Sequence, residues 1–289
     1  MALQTIWIAL AGSVLISPLV PLLQRMAEHG RLREPASPGR PAQRSRAARL
    51  FTAFRRWTLP KRRFVDFYAT GGACVAAAWR LLEARPAALY VIMGHSNAAM
   101  PLDWRCRLTF ALVAGHLARR ALECSFIVRY GDARMHIAAY CLGVGHYAMM
   151  ALSLLLDGAS AHPGRSISLW RTLLGCGLFV VASAVQHHAA RTLASIRRGG
   201  GSGGAAAAKY GVPQGGAFAL LTSPHLSAEV AIYAALAIVA GPRLPSLRYI
   251  AVWVTCNQAV SARAARRWYL RTFPAEFPSE RWVLFPFVW

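Results

Sequence analysis

Apolar blocks and short polar connections alternate along the whole chain. The blocks fall at about 5–23, 66–82, 107–118 continuing toward 128, 136–156, 167–186, 217–240 and 246–262. Each approaches the roughly 20 apolar residues that a helix needs to cross a hydrocarbon core. The pattern predicts an all-α fold, a polytopic membrane helical bundle of about seven transmembrane helices. Ala87 to Met93 forms a further apolar run that is either re-entrant or extends a neighbouring span. The first block has no basic leader and no small-x-small cleavage site, so it reads as a retained span and not a signal peptide.

Composition agrees. Hydrophobic residues make up 56% of the 289 and charged ones only 15%, against about 25% charged in a soluble domain. A formal net charge of +22 raises nucleic acid as a partner, but the cations flank apolar segments and do not line a soluble face with interleaved aromatics. Zinc-finger, RNP-like and helix-turn-helix patterns are missing from the sequence. Nucleic acid is therefore not expected, and anionic membrane lipids are.

The cations also predict orientation. The first connection carries a dense series from Arg25 to Arg63. The third holds Arg119, Arg120, Arg129 and Arg134, the fifth Arg191, Arg197, Arg198 and Lys209, and the C-terminal segment Arg263, Arg266, Arg267, Arg271 and Arg281. The alternate connections hold only Arg85, Arg105, Arg165 and Arg243. Positive charge stays on the cytosolic side, so the expected topology has a lumenal N-terminus and a cytosolic C-terminus.

Six cysteines are scattered without paired spacing, so neither a disulfide framework nor a metal site is expected. The stretches Pro35 to Pro41 and Gly199 to Ala208 are low-complexity inserts without chemistry.

Candidate chemistry gathers at the predicted cytosolic ends. Tyr210-Gly211-Val212-Pro213-Gln214-Gly215-Gly216-Ala217-Phe218 has a proline to set a turn and paired glycines that let a backbone approach a ligand; a plain re-entrant turn is the other reading. His225 and Glu229 share a helix face at membrane depth, as a mutually satisfied pair or as functional groups. Gln186, Ala190, Leu193 and Arg197 lie along one side of a helix, where the arginine is either a phosphate ligand or a positive-inside anchor. Glu123 is within helical reach of Arg119 and Arg120, an intrahelical ion pair by default. His116 stands one turn before Arg120. The apolar ending, Phe285-Pro286-Phe287-Val288-Trp289, suggests a docked segment.

Together these motifs resemble the steroid 5α-reductase family. Its turn of Tyr-x-Ile-Pro-x-Gly-Gly-x-Phe type is similar to Tyr210 to Phe218, followed by His225 and Glu229. Its closing pattern is similar to Tyr269, Phe273, Phe277-Pro278, Arg281 and Pro286-Phe287. The polyprenol reductase branch is nearest, on Leu59 to Phe64 with Phe67-Tyr68, Arg119-Arg120 with Glu123-Cys124, Gln186-His187, and Asn257 to Ala262. The likeness covers about residues 57 to 289. It implies a catalytic membrane domain over 57–289, preceded by an N-terminal helix and basic cytosolic loop over 1–56.

The resemblance further implies NADPH bound at the cytosolic side by Arg120, Gln186, Arg197, Tyr210, His225, Glu229, Tyr269 and Arg281. It implies a polyprenoid lipid substrate entering from the membrane, no metal, no obligate protein partner, and a place in dolichol synthesis for N-glycosylation at the endoplasmic reticulum. Three positions depart from the family pattern: Ala190 replaces a carboxylate, Arg266-Arg267 replaces a histidine, and Leu117 replaces the tyrosine of the steroid enzymes.

Hydride adds to the β-carbon of an alkene when a conjugated carbonyl can take up the negative charge, which an allylic alcohol lacks. Polyprenal is therefore the expected substrate, in preference to polyprenol. The site must place a hydrogen-bond donor at the aldehyde oxygen and deliver a proton to the α-carbon; His116, Tyr68 and Glu123 are the candidates. A trans-2-enoyl-CoA or 3-oxo-steroid reductase would perform the same conjugate reduction, and a non-enzymatic transporter or scaffold is the alternative of another class.

Overall fold

A computed structural model describes residues 2–16, 57–84, 102–160, 168–199 and 210–287. Most of the basic first connection, the Pro35 to Pro41 stretch, the Ala87 to Met93 run and nearly all of the Gly199 to Ala208 insert lie outside those residues. Within them run seven α-helices: α1 (Ala2–Ile16), α2 (Phe64–Ala84), α3 (Trp104–Leu122), α4 (Ile137–Ala159), α5 (Leu169–Gly199), α6 (Pro224–Ala240) and α7 (Ser246–Thr272). Three of these stretches, Ile137–Ala159, Leu169–Arg197 and Pro224–Arg243, are long and apolar enough to cross a membrane. The protein is a mostly helical membrane bundle.

From α2 onward the chain reverses direction at each connection. The start of α2 meets the end of α3, where Arg120 reaches Tyr68, and the end of α2 meets the start of α3, where Arg107 grips Glu83 at 2.7 and 3.0 Å. At that second end Arg243, just past α6, pairs with Asp103 at 3.1 Å. There too the Asp157 carboxylate of α4 accepts the Ser246 backbone N–H at 2.7 Å and its hydroxyl at 3.1 Å. A carboxylate at the first turn of α7 satisfies an otherwise unpaired N–H and complements the helix dipole.

Small residues let the helices approach, as they do where burial of apolar surface cannot drive association. At Gly143 of α4 a Cβ would fall 2.6 Å from the Phe67 ring of α2, and at Gly71 of α2 one would fall 2.9 Å from Tyr147 Cβ of α4. α5 packs along α6 in the same way, and α1 lies on α7. Trp7 of α1 is fully buried and donates to Ser153 of α4 at 3.1 Å.

The structure corrects several boundaries. α5 runs past its apolar block to Gly199 and includes the helical face of Gln186, Ala190, Leu193 and Arg197 expected from sequence, because Ala, Leu, Arg and Ser continue with no breaker until the glycines. α7 runs to Thr272 and not 262, ending before Phe273-Pro274. α6 begins at Pro224, a favoured first helical residue, and not at 217; ahead of it Gly216–Ala219 make a 3₁₀ turn. α3 widens into a π turn over Glu123–Ile127.

The fold is also not purely α. β1 (Thr58–Pro60) pairs antiparallel with β2 (Arg134–His136), Thr58 opposite His136. Pro60 holds the preceding residue extended, and Arg134 ties the ribbon by donating to the Thr58 hydroxyl at 2.8 Å and its carbonyl at 2.7 Å.

Candidate active site

The reversals bring the start of α2, the ends of α3, α5 and α7 and the start of α6 to one end of the bundle. Seven of the sequence-predicted site residues meet there in one buried polar cluster. Its anchor is Glu123, 2% exposed, at the point where α3 widens into the π turn. Such wide turns recur at functional sites. Its two oxygens accept from Arg119 at 2.6 Å, Arg120 at 2.5 Å and His187 at 2.9 Å.

Each partner carries the cluster to another helix. Arg120 donates to Tyr68 Oη of α2 at 3.1 Å and lies over that ring at 5.1 Å. Arg119 donates to Gln186 Oε1 of α5 at 2.6 Å and approaches His116 Nδ1 at 3.2 Å. Gln186 in turn donates to the Glu229 carboxylate and, at 3.3 Å, to the His225 carbonyl. His116 Nε2 stands 3.4 Å from Glu229. Thus His225 contributes its backbone carbonyl, while Gln186 and His116 meet the Glu229 carboxylate.

Below the cluster is a layer of aromatic residues that the sequence did not single out. Tyr147 lies against Tyr68 at 5.5 Å, His146 against Tyr147 at 4.7 Å, and Tyr233 has its hydroxyl 3.4 Å from His146 Nε2. All three are buried. Histidine and tyrosine within apolar helices were the available signal. Arg119 and His187 were missed as site residues too. Arg119 was signalled by its i,i+4 spacing to Glu123 and His187 by its place beside Gln186.

The remaining predicted residues form a second, outer group. Arg197 lies over the Tyr210 ring at 5.3 Å, and Tyr210 packs on Trp268 at 5.7 Å. Tyr269 stacks on Phe277 with centroids 5.0 Å apart. Arg281, 3% exposed, donates to the Pro213 carbonyl at 2.9 Å and to Gln214 Oε1 at 2.8 Å. Burial draws its guanidinium down from the ordinary arginine value. Its two terminal nitrogens are committed to the Tyr210–Phe218 turn, so it holds that turn from beneath.

The three departures have structural counterparts. Leu117 is fully buried in the apolar core and Ala190 is buried on α5, so neither carries a polar group. Arg266 grips the C-terminal segment through the Arg281 and Ser279 carbonyls.

Charge divides the two groups. Inside, Arg119 and Arg120 are matched by Glu123 and Glu229. Outside, Arg191, Arg263 and Arg267 are exposed and Arg197 is half-buried, a cationic rim. Two buried nitrogens, Nε of Arg120 and Nε of Arg281, keep hydrogen-bonding capacity with no partner among the described residues. A charge-balanced interior and a cationic rim fit a dinucleotide with an uncharged ring and anionic phosphates. Among the described residues no group of histidine, cysteine and carboxylates could hold a metal.

The sequence model of the family described as 3-oxo-5-alpha-steroid 4-dehydrogenase matches residues 135–289, from β2 through α7 and the C-terminal segment. The chain belongs to this family. It is an oxidoreductase. Within the family it is similar to a polyprenal reductase of Caenorhabditis elegans, 30% identical over 249 residues that cover 80% of each chain. It is also similar to one of Danio rerio, 32% identical over 178 residues that cover 60% of this chain and 57% of the relative. A polyprenal reductase of Homo sapiens is 25% identical over 316 aligned positions that cover 99% of this chain and 95% of the relative. The family match starts after Tyr68, His116 and Glu123; the human alignment spans almost the whole chain.

Proposed function

We propose that this chain is an NADPH-dependent reductase that saturates the α-isoprene double bond of polyprenal to give dolichal, in dolichol synthesis for N-glycosylation at the endoplasmic reticulum. The relatives named polyprenal reductase support the substrate, and the paired cluster at the end of an apolar bundle supports the chemistry. One observation carries it. Arg120 donates to Tyr68 Oη, so the phenol keeps its own proton to donate to a ligand oxygen.

NADPH, when bound, supplies the hydride. The chain's residues do the rest. Tyr68, polarised by the Arg120 guanidinium, hydrogen-bonds the aldehyde oxygen as negative charge develops there. His116, between Arg119 and Glu229, is the second candidate donor. Glu123 acts through Arg119, Arg120 and His187 by fixing where their cations sit. Gln186, Glu229 and the His225 carbonyl offer donors and acceptors to the carboxamide of a nicotinamide. Arg197, Tyr210, Tyr269 and the turn held by Arg281 receive the rest of the dinucleotide.

The same reading has seven spans, with the N-terminus lumenal and the site end cytosolic. Residues 57–289 form the catalytic domain, α1 is an added helix seated on α7, and membrane lipids surround both. Leu117 disfavours a 3-oxo-steroid substrate, because the position offers no hydroxyl.

The test is substrate profiling of the purified protein. With NADPH it is given polyprenal, polyprenol, a trans-2-enoyl-CoA and a 3-oxo-steroid enone. Consumption of polyprenal alone, with dolichal detected by mass spectrometry, is expected. Turnover of polyprenol without polyprenal overturns the aldehyde, and preference for either other enone overturns the lipid. In a reductase-deficient cell, the chain should restore dolichol.

A further inference from the structure

Beneath the Tyr210–Phe218 turn, two arginines are stacked in series. The C-terminal segment passes under the turn as a strap, bridged in parallel to it. Trp282 N–H donates to the Leu220 carbonyl at 2.9 Å and the Thr222 N–H to the Trp282 carbonyl at 2.8 Å. Farther along, the Ser227 hydroxyl of α6 holds the Leu284 carbonyl at 2.5 Å. On the other side, Arg266 of α7 donates one terminal nitrogen to the Arg281 carbonyl and the other to the Ser279 carbonyl at 2.5 Å. It thereby pins the backbone on both sides of Glu280. The pinned residue, Arg281, then sends its own two terminal nitrogens upward to Pro213 and Gln214.

Immediately after Gln214 come Gly215 and Gly216, both at positive φ, +77° and +51°. At Gly216 a Cβ would fall 2.7 Å from the His188 ring of α5. The turn is therefore clamped between α5 above and the strap below, in a conformation that only glycines adopt without strain. The two arginines donate to carbonyl and amide oxygens, and Arg281 also lies over the Phe277 ring at 5.5 Å. Among the described residues neither guanidinium is in an ion pair, so both charges persist under the turn and favour an anionic ligand there.

We propose that Arg266 is a positioning residue for the dinucleotide-binding turn, acting through the strap and Arg281 and not by touching the ligand. The inference rests on the NADPH reading above and adds a residue to which that reading gave no role. A guanidinium is suited to the task because its planar fork reaches two carbonyls at once, whereas an ammonium is a single point donor.

The test uses the full-length protein in detergent and reads equilibrium NADPH binding by fluorescence, with amide hydrogen exchange over residues 210–218 in the absence of ligand. Arg266→Ala should raise Kd by about tenfold or more, the scale of a lost charge-assisted hydrogen bond. It should also speed exchange across the turn, and millimolar guanidinium should reverse both effects. Arg266→Lys should fall between it and wild type, and carries the test if the alanine variant does not fold. An Arg266→Ala protein with wild-type Kd and wild-type exchange overturns the proposal, as does a lysine variant equal to wild type in both. Wild-type protein that binds no NADPH would sink the cofactor reading instead. Exchange across the turn would then still decide whether Arg266 holds it.

Discussion

Arg119 donates to Oε1 of Gln186 at 2.6 Å, and this contact settles which way round the Gln186 amide sits. With its oxygen facing the guanidinium, its NH₂ must face the Glu229 carboxylate and the His225 carbonyl. Neutral Gln186 thus couples a cation on α3 to an anion on α6 without adding charge to a buried site. A residue that only accepts or only donates cannot do this.

Gln186→Glu should for that reason be worse than Gln186→Ala. The new carboxylate still accepts from Arg119 but turns a second anion toward Glu229 in a buried setting, where like charges are costly. Truncation loses the three bonds and leaves buried groups without their partner, at about 1–3 kcal/mol. Thermal unfolding in detergent should rank wild type above Gln186→Ala above Gln186→Glu. Equal midpoints for the two variants would show that the amide is not the coupling element.

Glu123→Gln keeps the size but removes the charge from between Arg119, Arg120 and His187. Two adjacent guanidiniums at the end of α3 are then left without the carboxylate they both contact, with Glu229 the anion that remains in the cluster. Breaking a buried ion pair costs roughly 3–5 kcal/mol, a large fraction of a protein's stability. Much lower recovery of folded protein is expected, and Glu123→Asp should retain more. A Glu123→Gln protein of wild-type midpoint would mean that the arginines find other anions.

The helical blocks were legible because hydropathy marks apolar helices, three of which are long and apolar enough to cross a membrane, and the site end was legible because ionisable residues cluster there. Motif order brought out the Tyr210 turn and Glu229. The helix ends were less legible. α7 continues past its apolar block to Thr272 on helix propensity, which hydropathy does not see, whereas the helical spacing of Gln186 to Arg197 did mark the continuation of α5. The β1–β2 ribbon was hidden because its strands are three residues each and lie far apart in sequence, with α2 and α3 between them. Side-chain roles were the least readable. Arg281 appears in sequence as a cofactor ligand, and only the packed structure shows its terminal nitrogens turned to Pro213 and Gln214.

At the opposite end of the bundle, stability separates from chemistry. Asp157→Ala removes the acceptor for the Ser246 N–H and hydroxyl, a cap on α7 worth about 0.5–2 kcal/mol. The midpoint should drop by a few degrees while reductase activity per folded molecule is retained, since Asp157 and the cluster lie at opposite ends of α4. Loss of turnover in folded Asp157→Ala protein would show that the far end of α7 controls the site.

Tyr68→Phe is the sharpest test of the chemistry. It deletes one oxygen, keeps the ring under Arg120 and its contact with Tyr147, and leaves Glu123 with all three of its donors. If the phenol stabilises charge on the aldehyde oxygen, turnover should fall by about 10²–10³, as for loss of one oxyanion donor, while NADPH affinity stays within a few-fold. Arg120→Lys should give a smaller fall, because a charge remains near the phenol without the bidentate geometry. If Tyr68→Phe keeps full turnover of polyprenal, the phenol is not the donor. His116, held between Arg119 and Glu229 on α3, is then the remaining group of the cluster able to serve, and His116→Gln should carry the loss instead.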